Sequence, residues 1–455
     1  MKFPWKETAP GTVVCQLDNS ERFLRAVAIP FRSLGRENWA LNIILKIDFE
    51  NSKQYDIAEA LRETWLKIRY HHPLIAAHLH IDENRFEYAT PDEQALQAWL
   101  SDSFFVHDKE TVDEFLLQAG WSDLSSLHFF PNSSEIIMRT HHWLVDGVGA
   151  FHLAHRFCEL FAKGGPAPQF GDEAQFLPPC LLDAAGLPGG GDEAAQHKAQ
   201  ARFMDFAANL PSIGLPTEHS PTGPGGSKRQ HISFPREKLD ALLKACRAKD
   251  TTIAAAVHAA VAVATQEKAY NSDVAKNFTS VAFFDYRKYL PAPYCDSRQY
   301  PMGVWILGLP FSLPSTDFAT HVETCRKVYK QPVARDVFPL FDAYEVFCGM
   351  MADAFGAPPS PGIPLPSQPQ LSSIGLIDGK DGKIQRSYSS ERSATILRVE
   401  PVLDSMVTTP VLFQWTFDNV FYINACYNEK WNTDDFIADF LQIVGRVLME
   451  SMGVA

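Results

Sequence analysis

Between residues 41 and 49 apolar side chains recur at every second position (Leu41, Ile43, Leu45, Ile47, Phe49), the period of a strand with one buried face. The period then changes. Ile57, Leu61, Trp65 and Ile68 fall at helical spacing within residues 55–70, and Pro73 in His71-His72-Pro73-Leu74-Ile75 predicts that this helix stops there. A second apolar strand over residues 134–139 runs directly into His141-His142. Residues 147–163 return to helical spacing, with Phe151, Leu153, Phe157, Leu160 and Phe161 on the side expected to be buried.

From about residue 164 to 226 glycine and proline dominate, broken by one predicted helix over 193–209. This stretch reads as a crossover between lobes, partly mobile. The pattern resumes with a strand at 230–234, helices at 236–249 and 252–265, and a strand at 279–284 ending in Asp285-Tyr286-Arg287. A helix near 317–331 precedes a helical or irregular stretch to 355. Six prolines within the twelve residues 358–369 then exclude a helix. Strands around 370–376, 393–399, 410–416 and 420–427 and an amphipathic helix at 433–452 complete the chain. No internal repeat has a fixed period. The expected class is α/β, two lobes with mostly antiparallel or mixed sheets: residues 1–175, a linker at 176–228, and 229–455.

A chain of 455 residues with 46% apolar and 21% charged positions can bury cores of that size. A net charge of −13 argues against nucleic acid as a partner, because phosphate binding needs a basic surface. None of the eight cysteines forms a CxxC pair, and most lie in apolar stretches, as expected of reduced, mostly buried thiols in a reducing compartment. The N-terminus lacks a signal-peptide core, and the longest apolar run, 251–265, is too short to span a bilayer. A cytoplasmic monomer with no membrane contact is expected.

The chemistry concentrates in His141-His142-Trp143-Leu144-Val145-Asp146-Gly147. A chance match to HHxxxDG in this chain has a probability of roughly one or two in a thousand. A strand ends at the histidines and a glycine turn leads into a helix, a setting that suits catalytic groups. Histidine is the side chain best placed to take a proton near neutral pH, provided that its tautomer is fixed. Asp146 could fix it as in a triad, or turn away and pin the loop through a buried pair with an arginine. The plainer reading makes the histidines satisfied polar residues and Asp146-Gly147 an ordinary turn. Metal binding is not expected: adjacent histidines on a strand point to opposite faces, and no third ligand lies at a suitable spacing.

HHxxxDG resembles the active-site motif of the chloramphenicol-acetyltransferase-like superfamily, which includes condensation domains, BAHD acyltransferases and fungal trichothecene and alcohol acetyltransferases. In the matching order, His72-Pro73-Leu74-Ile75 before the motif, and Asp285-Tyr286-Arg287, Leu371-Ser372-Ser373-Ile374-Gly375 and Tyr427-Asn428-Glu429 after it, are similar to other family segments. The resemblance implies two lobes with a tunnel between them and His142 as general base. It makes Asp146 structural and paired with Arg287, with His141 in support. It also offers the Gly147 N–H to a developing oxyanion and places Ser372, Ser373 and Gly375 toward the acyl end of the tunnel. The BAHD signature DFGWG is absent; Ser372-Ser373-Ile374-Gly375-Leu376-Ile377-Asp378-Gly379 stands in that region, which favours the fungal-type or free-standing condensation-like branch.

The resemblance implies acyl transfer from a thioester, either acyl-CoA as co-substrate or a carrier protein, to a hydroxyl or amine of a hydrophobic natural product. It implies no resident cofactor. The alternative is a non-acyl step in the same tunnel, such as cyclisation, epimerisation or a pericyclic reaction. The short basic run Gly225-Gly226-Ser227-Lys228-Arg229 is expected to be a solvated turn rather than a contact for CoA phosphates.

Overall fold

The computed structural model describes residues 1–50, 55–166, 168–186, 192–218, 222–331, 341–356, 365–380 and 382–454. The first alternating segment forms the strand Leu41–Glu50, buried at its first five positions and alternating afterwards. Continuous burial at one end follows from its central place in a six-stranded sheet. The order is Ser387–Ser389, Ser393–Leu403, Leu41–Glu50, Glu135–Thr140, Ser126–Phe130 and Phe104–Val106. Glu135–Thr140, the strand that delivers the histidines, is buried at all six positions. The helices Ile57–His71 and Gly147–Lys163 pack against each other, and the second also packs on the sheet.

The second half builds a four-stranded sheet in the order Gln370–Leu376, Val411–Phe417, Val420–Asn428, Ser227–Phe234. The first pair is parallel and the other two antiparallel, so the sheet is mixed, as expected. The alanine-rich helix Ile253–Lys268 packs between Phe318–Lys330 and Asp434–Met452. A two-stranded ribbon, Asn277–Asp285 with Ile306–Pro314, leads to and from the loop carrying Arg287.

One segment crosses the expected boundary at residue 229. Ser393–Leu403 pairs antiparallel with Leu41–Glu50 from Ser393↔Glu50 to Leu403↔Leu41, so part of residues 229–455 completes the sheet of the first lobe. A register shift between Ile396 and Arg398 turns Leu397 outward, leaving it 51% exposed. Apolar packing continues across the seam: Met302, Val304, Ile374, Phe413 and Trp415 share one core with Ile43, Ile136 and Leu144. A fully buried side chain of this size contributes about 1.5–3 kcal/mol, so the seam is held chiefly by apolar burial.

Most other boundaries fall within a few residues of expectation. Of the stretch read as helical or irregular up to 355, residues 332–340 lie outside the described residues and the rest is the helix Phe341–Gly356; Glu193–Ala208 is the helix expected within the crossover. Of the proline-rich segment 358–369, residues 358–364 lie outside the described residues, and 365–369 form neither helix nor strand. The mobility expected at 164–226 falls partly on 167, 187–191 and 219–221, also outside the described residues. Ile306–Pro314 was not legible in the sequence, because Pro310 and Gly308 interrupt its alternation. Among the described residues no helix is long and apolar enough to cross a membrane.

Candidate active site

The strand Glu135–Thr140 hands the chain to a tight turn in which the Leu144 N–H donates to the His141 carbonyl at 3.0 Å. Asp146 then caps the helix Gly147–Lys163, its Oδ1 accepting from the Gly149 N–H at 2.9 Å. The carboxylate is fully buried and receives three further bonds. Arg287 Nη1 lies 2.9 and 2.8 Å from its two oxygens, and the Trp305 N–H donates to Oδ2 at 2.8 Å.

Arg287 is equally buried. Its Nη1 also meets Asp285 Oδ1 at 3.2 Å, and its Nη2 donates to the carbonyls of Pro301 at 3.1 Å and Gly303 at 3.2 Å. Burial opposes the guanidinium charge, but Asp146 and then Asp285 outweigh it and hold the arginine above its ordinary value. Main-chain bonds extend the junction: the Gly303 N–H donates to Leu144 O at 2.8 Å. The loop is thereby fastened to residues 301–305 of the second half, and the expected Asp146–Arg287 pair is present. Among the described residues the hydrogen bonds of the Asp146 carboxylate run to Arg287, Gly149 and Trp305, and none runs to His142.

The two histidines have different surroundings. His141 is buried, its Nδ1 2.9 and 3.0 Å from the oxygens of the buried Glu37 and its ring stacked on Trp143 at 4.3 Å. His142 is half-buried, and its Nδ1 is sealed from solvent with no hydrogen-bond partner among the described residues. Burial lowers its pKa, opposed by its own backbone carbonyl, Asp146 and the Val145 carbonyl. A neutral imidazole at neutral pH follows. The nearest aromatic contact is Trp39, with ring centroids 6.4 Å apart.

Gly147, the first helical residue, has an N–H without an acceptor inside the helix. A Cβ here would meet Ile374 Cδ1 at 3.5 Å, so the strand Gln370–Leu376 does approach the motif. Its contact is the buried Ile374, at a register shift between Ser373 and Gly375 where Gly375 takes φ +77. Ser372 and Ser373 are half-buried on this strand, and Ser373 Oγ accepts from Gln414 Nε2 at 2.7 Å. Neither serine has a hydrogen bond to His142.

Gly149 carried no signal beyond a glycine in a helical pattern. A Cβ there would lie 2.2 Å from Pro301 O and 2.5 Å from Arg287 Nη2. Helix propensity alone would make Gly149→Ala stabilising by about 0.5–1 kcal/mol. The clash with a main-chain carbonyl reverses the sign, since overpacking costs about 1–3 kcal/mol. A lower melting temperature is expected for Gly149→Ala; an unchanged or raised one contradicts this packing. Glu37 and Trp39 also escaped the sequence pattern, because their partners lie about 100 residues away in the chain.

The basic run at 225–229 is not the solvated turn expected: Ser227, Lys228 and Arg229 open the strand Ser227–Phe234, and its two cations are paired with acidic residues elsewhere in the chain. Lys228 meets Asp434 at 3.0 Å, and Arg229 meets Glu400 at 3.0 Å and Asp113 at 2.7 Å. All eight cysteines are free thiols and only Cys295 is exposed. Among the described residues no group of three histidine, cysteine or acidic side chains could hold a metal ion.

No family model matches the chain. It is 27% identical to the O-acetyltransferase pigM of Monascus ruber, over 99% of this chain and 87% of that protein. Among solved structures, the trichothecene 15-O-acetyltransferase of Fusarium sporotrichioides superposes with a TM-score of 0.82 at 15% identity, covering 98% of each chain. The condensation domain of the Monacolin K polyketide synthase superposes at 0.62 and 14% identity, over 97% of this chain and 98% of that domain. With the mixed sheets, the apolar seam and the Asp146–Arg287 junction, these likenesses identify the protein as a chain of the chloramphenicol-acetyltransferase-like fold.

Proposed function

We propose that the protein is an acyltransferase that moves an acyl group from a thioester to a hydroxyl or amine of a hydrophobic acceptor, with His142 as general base. One observation carries this reading: the half-buried imidazole at the lobe junction, with Nδ1 sealed and its pKa lowered by burial. Nε2 is then the atom that takes the acceptor's proton. The acceptor oxygen or nitrogen attacks the thioester carbonyl, and the Gly147 N–H meets the negative charge that develops there. His142 returns the proton to the departing thiolate. Asp146 and Arg287 fix the loop and do not touch the reacting atoms; Glu37 holds His141, and through the strand end the orientation of His142. Ser372, Ser373 and Gly375 would shape the acyl side of the seam. The relative named O-acetyltransferase supports acetyl as the group to try first.

The internal pairing of Lys228 and Arg229 leaves acyl-CoA or a carrier-protein thioester as donor. Incubation with acetyl-CoA and a panel of hydrophobic alcohols and amines should release free CoA thiol only when an acceptor is present. Conversion of an acceptor without any thioester would replace this reading with a non-acyl one. The pH profile is a second check. Because the His142 pKa lies below 6.5, the base form persists into mildly acidic solution. kcat/KM is expected to be flat above about pH 6.5 and to fall on an acid limb centred below that value. A limb centred above 6.5 would contradict the assignment.

A further inference from the structure

Trp39 combines two costly features beside the proposed base. Its backbone sits at φ +66, in the left-handed region that a bulky aromatic residue rarely occupies. The other described non-glycine residues with positive φ are Asn84, Ser134, Asp250, Asp418 and Asn419, small polar types that tolerate it far better. The Trp39 indole Nε1 is also sealed from solvent, with no acceptor among the described residues. A buried N–H that could bond and does not is destabilising, and in a native fold it calls for an explanation. Trp99 and Trp415 leave an indole N–H in the same state, but from helix and strand backbone.

The strain is imposed by neighbours on both sides. Glu37 is fixed by His141. Asn38 donates from Nδ2 to Val27 O at 3.3 Å and accepts from the Met406 N–H at 2.9 Å. The Trp39 N–H donates to Asp404 O at 2.7 Å, and the Asp404 N–H donates back to Ala40 O at 3.0 Å. The clamp therefore sets the Trp39 backbone before any ligand arrives, and the indole ring lies 6.4 Å from that of His142. Preorganised strain of this kind clusters at ligand clamps.

We infer that the Trp39 indole N–H is a substrate-orienting donor, which accepts into the site an acceptor bearing a carbonyl or ether oxygen close to the group to be acylated. Tryptophan donates and does not accept, so the missing partner must be a lone pair. The attacking oxygen is an unsuitable partner, because donation to it would weaken the nucleophile that His142 activates. A neighbouring oxygen satisfies the indole and leaves the nucleophile free. Acceptors lacking it leave the N–H unpaired, which is how a polar site discriminates most strongly. This rests on the acyltransferase reading, but it is tested by binding alone.

The probes are 2-hydroxyacetophenone and 2-phenylethanol, which differ in the carbonyl oxygen beside the hydroxyl-bearing carbon. Titrated by ligand-observed NMR against the His142→Ala chain, 2-hydroxyacetophenone should bind the more tightly. Adding Trp39→Phe should raise its Kd about tenfold and leave that of 2-phenylethanol unchanged. Equal affinity for the two probes, or an equal effect of Trp39→Phe on both, overturns the inference. Should Trp39→Phe not fold, Trp39→Tyr assigns the indole signal in an 15N-labelled sample. That signal should then move with 2-hydroxyacetophenone and not with 2-phenylethanol, and a static signal overturns the inference. Absence of acyl transfer would sink the reaction proposed above without changing these binding outcomes.

Discussion

Replacing His142 by alanine should lower acyl transfer by about two orders of magnitude or more, the usual worth of a positioned general base, while the melting temperature stays close to that of the parent. The separation follows from the contacts. The His142 side chain is half-buried and makes no side-chain hydrogen bond among the described residues, so removing it breaks none. His141→Ala is the contrasting case. It would strand the Glu37 carboxylate, 1% exposed, without its imidazole partner, and should reduce stability and activity together. Thiol release from acetyl-CoA and thermal melting on both variants decide the matter. An unchanged rate in His142→Ala would remove the base from the mechanism. A loss matched by an equal fall in stability would make His142 structural.

What the sequence showed and what it hid differ in range along the chain. The helix Gly147–Lys163 is legible at both ends because its signals are local: Asp146 caps one end, and Gly164, at φ 62, closes the other. The strand running into the histidines is legible because burial on both faces leaves the apolar run Ile136-Ile137-Met138 at its centre. The Asp146–Arg287 pair spans 141 positions and came only through resemblance; no periodicity connects two residues so far apart. Gly149 looks like a mild helix defect until Pro301 and Arg287 close over it. Trp39 looks like an ordinary aromatic until Asp404 and Asn38 fix its backbone. The crossing of Ser393–Leu403 into the first sheet was hidden for the same reason, since its alternation fits either sheet and only the partner Leu41–Glu50 decides. Local period predicts elements; the site is assembled by contacts between elements, where the chain order carries little information.

The largest loss of stability is expected from Asp146→Ala. Arg287 and Asp146 are both fully buried, and breaking such a pair from one side costs about 3–5 kcal/mol because the remaining charge has no water to turn to. Asp285, 3.2 Å from Arg287 Nη1 and half-buried, offsets only part of that cost. The Gly149 and Trp305 N–H groups lose their acceptor in the same step, so the helix cap and the 301–305 junction loosen together. Soluble yield and melting temperature should fall with activity. Asp146→Asn, which keeps one acceptor oxygen for the cap, should lie between the parent and alanine. Pairing Asp146→Leu with Arg287→Met should recover part of the stability, since apolar replacement of a buried pair is often neutral. Full recovery is not expected, because Pro301 O, Gly303 O and the two N–H groups remain unpaired. Denaturant midpoints on the single and double variants test this coupling. Additive losses would mean that the two residues act independently. Lost activity at parental stability in Asp146→Ala would instead place the carboxylate in the chemistry, as the orienting partner of His142.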